Sequence, residues 1–228
     1  QIIQPTSISE VKLPPFARPI VSLIENHFVI RDKKSYDALL LRNLTINNIF
    51  KFNVHSDHNT IYVPVYEEGE LVQWVGRKVV RNNPPVDYFK TDKNQRYYYQ
   101  PGAKIGDYFL GWSEVKLWEN VTLVENSFVS IWLRNHFNCS TNFGSRLTNT
   151  QIEKIVKSKI KYIILMWDSS AQDTMIQAVN KLKKGGIRTC RIKLPGNSQP
   201  DNFSILELIK WQKEAYKNIL NKIDFYEA

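Results

Sequence analysis

Val121-Thr-Leu-Val-Glu125 and Tyr162-Ile-Ile-Leu-Met-Trp-Asp168 are the two stretches on which the reading of this chain turns. The second is an unbroken apolar run and the first nearly so, and each ends in an acid. Runs without polar alternation predict strands buried on both faces. After Glu125 an apolar, helix-like segment continues through Leu133. After Asp168 a helix carries Ala171, Met175, Val179 and Leu182 at spacings of three and four, and Gly185-Gly186 stops it. Between the two strands, Thr148 and Gln151 form a capping-box signature ahead of Ile152, Ile155 and Val156. Ile187 to Leu194 reads as a further strand, and 205–223 as an amphipathic helix. This alternation predicts a parallel α/β sheet, whose ligands bind beyond the carboxyl ends of its strands. Glu125 and Asp168 are therefore expected to project at one edge of one sheet.

The upstream half is organised differently. Residues 1–30 hold Pro5, Pro14, Pro15 and Pro19 and read as an irregular arm leading to a short apolar stretch. Residues 35–52 have helical spacing through Tyr36, Leu39 and Leu40, with a break near Asn43 and a second short helix beyond it. Thr60-Ile-Tyr-Val-Pro-Val-Tyr66 and Leu71-Val-Gln-Trp-Val75, joined by Glu67-Glu-Gly-Glu70, form a hairpin signature. Residues 80–107 are basic, polar and turn-rich, which predicts a loop-heavy excursion.

The chain has 228 residues, and its 43% hydrophobic content is ordinary for a globular protein. No run of about eighteen apolar residues occurs, so no membrane association is expected. The two cysteines, Cys139 and Cys190, stand far apart without a CxxC or Cys/His cluster, so neither a disulfide framework nor a structural zinc is expected. A formal net charge of +9 favours a polyanionic partner, the bland alternative being a well-solvated basic surface. Aromatics interleave with cations in Tyr88-Phe-Lys90 and Arg96-Tyr-Tyr-Tyr99. Such an arrangement suits a single-stranded nucleic acid, unless these tyrosines fill a half-buried sheet.

Two carboxylates close together repel, and a hard divalent cation between them relieves the repulsion. A cation so held can position nucleotide phosphates for phosphoryl transfer. The plainer alternative is that each acid caps the helix after its strand.

Several segments together resemble the catalytic core of bacterial- and phage-type DNA primases, a Toprim domain behind an N-terminal companion. Val121 to Glu125 looks like the first Toprim motif. Asn142-Phe-Gly-Ser-Arg-Leu-Thr148 resembles its Gly-Thr-x-Leu-Thr turn, and Ile163 to Ala171 resembles the Asp-x-Asp strand. Leu194-Pro-Gly-Asn-Ser-Gln-Pro-Asp201 is similar to the Leu-Pro…Lys-Asp-Pro-Asp segment. Upstream, Leu39 to Ile46 resembles the helical Leu-x-x-Arg-Gly-Ile segment. Ile61 to Arg77 is similar to the hairpin leading to a Gly-Arg. Pro84-Pro-Val-Asp-Tyr88 sits where the family has Pro-Lys-Tyr-Leu, and Tyr108-Phe-Leu-Gly-Trp112 resembles the segment before the first Toprim strand. The likeness covers roughly residues 35–205, in order.

The resemblance implies an α/β fold with a Toprim-type parallel sheet and flanking helices. Its boundaries would be 1–115 for a smaller mixed α+β subdomain, 116–204 for the Toprim domain and 205–228 for a C-terminal helix. It implies Mg²⁺-dependent (or Mn²⁺-dependent) RNA primer synthesis on single-stranded DNA, with ribonucleotides as substrates. Glu125 and Asp168 would be catalytic and bind the metal, with Ser170 as a weak or water-mediated ligand. Arg77, Lys78, Arg81, Tyr88, Lys90 and Lys104 would contact nucleic acid or nucleotide. A replicative helicase or another replication protein becomes the expected partner, and the cytoplasm of a bacterium or phage-infected host the expected location.

Departures from the pattern are substantial. Glu-Gly-x-x-Asp reads Glu125-Asn-Ser-Phe-Val129, Asp-x-Asp reads Asp168-Ser-Ser170, and the last segment reads Ser198-Gln-Pro-Asp201. With fewer acids a two-metal cluster is hard to hold, and one ion on Glu125 and Asp168, assisted by Asp173 or Asp201, is the expectation. Three readings follow: a working primase, a catalytically silent descendant that binds nucleic acid or a replication or transcription partner, and a Toprim nuclease.

Overall fold

A computed structural model describes residues 11–57, 59–79, 97–100 and 104–228. The proline-rich arm gives way to β1 (Arg18–Pro19) and a hairpin of β2 (Val21–Ile24) and β3 (His27–Ile30). Glu25 and Asn26, with φ of 48° and 65°, make the tight turn of that hairpin. Helices α1 (Lys33–Leu40) and α2 (Ile46–Lys51) follow, separated by Asn43 at φ 61°. The caps are local: Asp32 accepts from the Ser35 N–H, and Thr45 and Asn48 form a capping box.

Strands β4 (His55–Ser56), β5 (Thr60–Glu67), β6 (Glu70–Lys78) and β7 (Tyr97–Tyr99) then complete an antiparallel sheet of order β1-β4-β5-β6-β7. Pro64 is tolerated inside β5 because β4 pairs only with Ile61 and Tyr62, which leaves that side of the strand open at Pro64. The run Tyr97–Tyr99, expected within a loop, pairs with Val75, Gly76 and Arg77 of β6.

Beyond a short α3 (Trp112–Val115) come β8 (Asn120–Val124), α4 (Ser127–Leu133), β9 (Cys139–Thr141), α5 (Asn149–Val156), β10 (Tyr162–Leu165), α6 (Gln172–Lys184), β11 (Arg188–Lys193), α7 (Ile205–Leu220) and β12 (Phe225–Glu227). The five strands form an all-parallel sheet of order β12-β11-β10-β8-β9. In the segment around β10, Ile163, Leu165 and Trp167 pack into one hydrophobic cluster while Ile164 and Met166 pack into the other. Helices cover both faces, which is why no polar alternation marks these strands in the sequence. The predicted α/β architecture, a parallel sheet flanked by helices after a smaller mixed α+β subdomain, is the one observed, and the sheet of that subdomain is antiparallel.

The last helix does not stand apart. Leu208, Trp211, Ala215 and Ile219 of α7 share a cluster with Val124, Ile164, Cys190 and Ile192 of the parallel sheet, and β12 pairs with β11. The same cluster reaches Ile20, Leu39, Ile49 and Ile61, so one core runs through both halves. Among the described residues no helix is long and apolar enough to cross a membrane.

Candidate functional site

A cleft of about 480 Å³ opens where the antiparallel subdomain meets the carboxyl edge of the parallel sheet. One wall carries Arg42, Val75, Arg77, Tyr97 and Tyr99; the other carries Glu125, Asn126, Phe143 and Asp168, with Gln199 to Asp201 beyond. Glu125 follows β8 and Asp168 follows β10, strands paired in register as Leu123↔Leu165. That register brings the two acids to one rim, as the sequence predicts.

Neither acid is engaged as a helix cap. Asn126 caps α4 by accepting from the Phe128 N–H at 2.8 Å, and Asp168 makes no side-chain cap bond to the turn it precedes. Glu125 Oε1 instead accepts the backbone N–H of Asp168 at 3.0 Å. Burial, then the nearby Asp168 charge, pushes the Glu125 carboxyl up to about 7, although the bond from the Asp168 N–H works against the rise. Burial, then the Asp201 charge, pushes Asp168 up to about 6. The Asp168 charge thus acts on Glu125, and the Asp201 charge on Asp168.

Cations face them. Arg77 is 6% exposed, and its guanidinium lies over the Tyr97 ring at 4.5 Å. The Tyr97 hydroxyl accepts from Asn126 Nδ2 at 3.1 Å, which ties the cationic wall to the acidic one. Arg42 Nη1 bonds Asp201 Oδ2 at 2.7 Å, a second bridge across the cleft between largely buried side chains. Burial raises the Tyr97 phenol; Arg77 and then Arg42 oppose that rise, and Asp168 and Asp201 reinforce it.

The chain matches solved structures of primases. The Aquifex aeolicus primase (zinc-binding and RNA polymerase domains) superposes with a TM-score of 0.65 at 18% identity, over 84% of this chain and 56% of that one. The DnaG catalytic core gives 0.60 at 15% identity, over 83% and 73% of the two chains. The primase fragment of the bacteriophage T7 primase-helicase gives 0.56 at 13% identity, over 93% and 83%. This is a primase-type catalytic core fold. No family model and no curated protein matches the sequence. The chain spans a little over half of the Aquifex structure it matches.

On this primase-type fold the predicted residues separate. Glu125, Asp168 and Arg77 come together in the cleft. Lys78 does not line it, because successive residues of a strand point to opposite faces. Ser170 does not line it either: the chain turns at Ser169–Ala171, leaving Ser170 exposed, and Ser169 Oγ is used to accept the Ser198 N–H at 2.8 Å. Lys104 is exposed at the start of the turn Ile105–Asp107, and Asp173 is exposed in the first turn of α6. Arg81, Tyr88 and Lys90, with the segment Pro84 to Tyr88, lie outside the described residues. Val129, where the resemblance has a second acid, lines the cleft.

Sequence reasoning did not select Arg42, Tyr97, Tyr99, Asn126 or Phe143 as site residues. Arg42 was legible only as part of the helical Leu-x-x-Arg likeness, and Tyr97 only as one of several aromatics among cations.

Among the described residues no group of three or more His, Cys, Asp and Glu is arranged to hold a metal ion. Glu125 and Asp168 offer two hard oxygen donors, and burial disfavours the charge of each. That donor set fits a hard divalent ion which keeps several waters and takes its remaining oxygens from a phosphate.

Proposed function

We propose that this chain is a Toprim-containing, primase-like core acting in DNA replication, joining ribonucleotides into short RNA primers on a single-stranded DNA template. One observation carries the reading: Glu125 and Asp168 share a rim of the parallel sheet and face Arg77 across a single cleft. Nucleotidyl transfer is helped when cations grip the phosphates on one side and paired carboxylates on the other hold a divalent ion against them. Arg77 supplies a planar fork suited to phosphate oxygens, pre-oriented by Tyr97.

Glu125 and Asp168 would hold Mg²⁺ or Mn²⁺, an ion that neutralises charge on phosphates during transfer. The protein's own contribution is placement. The Asp168 N–H fixes the Glu125 carboxylate, and the Asn126–Tyr97 bond sets the distance between the walls. Replication proteins, a helicase among them, are the partners this reading implies.

The test is template-dependent ribonucleotide incorporation in Mg²⁺ or Mn²⁺, lost in Glu125→Gln. Synthesis that survives this change would remove Glu125 from the mechanism.

Val129 in the cleft and the exposed Ser170 favour a second reading, a catalytically silent descendant that binds nucleic acid or a replication or transcription partner through the same face. It predicts salt-sensitive binding of single-stranded DNA that EDTA leaves unchanged, with no incorporation by the wild type.

A further inference from the structure

Phe143 differs from the other side chains of the cleft in its backbone, which lies in the left-handed region at φ 58°. A bulky residue there is uncommon and strained. Hydrogen bonds from both sides impose the conformation. The Phe143 N–H donates to Thr141 Oγ1 at 2.9 Å, and the same hydroxyl donates to the Glu125 carbonyl at 2.9 Å. Buried Asn142 donates to the carbonyls of Gly144 at 2.7 Å and Arg146 at 3.2 Å, while Gln151 Nε2 donates to the Asn142 carbonyl at 3.1 Å. One buried threonine therefore ties Phe143 to Glu125. Strain that the surroundings over-determine beside a cleft points to a positioned functional residue.

The opposite wall holds a second available aromatic. Tyr97 is committed to Arg77, but Tyr99, two residues along the same strand face, is 39% exposed and lines the same cleft. Planar faces near a cationic wall and a carboxylate pair match a ligand with a flat ring at one end and an anion at the other.

We propose that Phe143 and Tyr99 seat the base of a nucleotide whose phosphates lie toward Arg77 and the Glu125–Asp168 pair. The proposal rests on the nucleotide-binding reading above and adds which residues take the base. Stacking is indifferent to base identity, so the seat accepts purines and pyrimidines alike.

Calorimetric titrations of ATP and of inorganic tripolyphosphate into the wild type, Phe143→Gly, Phe143→Leu and Tyr99→Ser, in Mg²⁺ at low salt, test it. The wild type should bind ATP roughly ten-fold or more tightly than tripolyphosphate. Each variant should lose about ten-fold for ATP and keep its affinity for tripolyphosphate. Phe143→Gly relieves the positive-φ strain but also removes a half-buried ring packed against the core, so Phe143→Leu, which keeps apolar bulk, separates loss of the aromatic face from loss of packing. An unchanged ratio of ATP to tripolyphosphate affinity in Phe143→Gly and Phe143→Leu would make Phe143 a packing residue and overturn the seat. If the wild type binds tripolyphosphate but shows no preference for ATP, the seat alone fails. If it binds neither, the nucleotide reading and the seat fail together.

Discussion

The side chain of Glu125 accepts a 3.0 Å hydrogen bond from the backbone N–H of Asp168, so the chain at one acid fixes the place of the other's carboxyl. Glutamine at position 125 keeps a carbonyl oxygen for that bond but removes the charge. Glu125→Gln is therefore expected to fold with a stability within about 1 kcal/mol of the wild type while losing ribonucleotide incorporation. Glu125→Ala leaves the N–H without its partner and should cost about 1–3 kcal/mol in chemical denaturation. Equal destabilisation by both changes would show that the bond is not what matters.

The same two acids give stability a pH dependence of unusual sign. A carboxyl whose folded pKa stands above its unfolded one binds a proton more readily in the folded state. Its contribution is fully favourable below the unfolded value and is lost as pH rises through the folded value. With Glu125 raised to about 7 and Asp168 to about 6, stability should decline from roughly pH 4.5 to 7.5 in the absence of divalent ions. Both groups are partly solvated, so the decline is on the order of 1–2 kcal/mol, a few degrees in melting temperature. Melting curves of the wild type and Glu125→Gln across this range, in EDTA, provide the check: the variant should show a clearly flatter profile.

How legible each part was follows from how its residues signal. β8 and β10 lie under helices on both faces, so Val121 to Val124 and Tyr162 to Trp167 announce themselves as apolar runs, and the acid ending each run marks the rim. β9 and β12 are three residues each at the two sheet edges, too short for any period to show. The β2–β3 hairpin was hidden by its neighbouring prolines, although Glu25-Asn26 is a competent turn. Arg42 reaches the cleft through an ion pair with Asp201, 159 positions away, and no local pattern encodes such a meeting.

That ion pair should be measurable by itself. Arg42 and Asp201 have side chains 20% and 14% exposed, so water screens them weakly and either one left alone is poorly solvated. Arg42→Ala and Asp201→Ala should each destabilise the fold by about 1–3 kcal/mol, and the double variant by less than the sum. A double-mutant cycle from urea unfolding gives the coupling. A coupling near zero would mean that the bridge between the two walls does not contribute to their association.

Arg77 gives the sharpest test of what the cationic wall meets. Its guanidinium is buried against Tyr97, so its orientation is set before any ligand arrives. Lysine in its place retains the charge but has neither the flat face that stacks on the ring nor the fork that grips two phosphate oxygens. If Arg77 contacts one phosphate of single-stranded DNA, Arg77→Ala should weaken binding across all sequences and reduce the slope of log affinity against log salt by about one contact. Arg77→Lys should keep most of that slope, because counterion release depends on charge, yet bind several-fold more weakly because the geometry is lost. Fluorescence anisotropy with a labelled oligonucleotide from low to moderate salt separates the two effects. A slope and affinity unchanged in Arg77→Ala would place the nucleic acid elsewhere on this basic chain, and leave Arg77 to nucleotide phosphates or to the support of Tyr97.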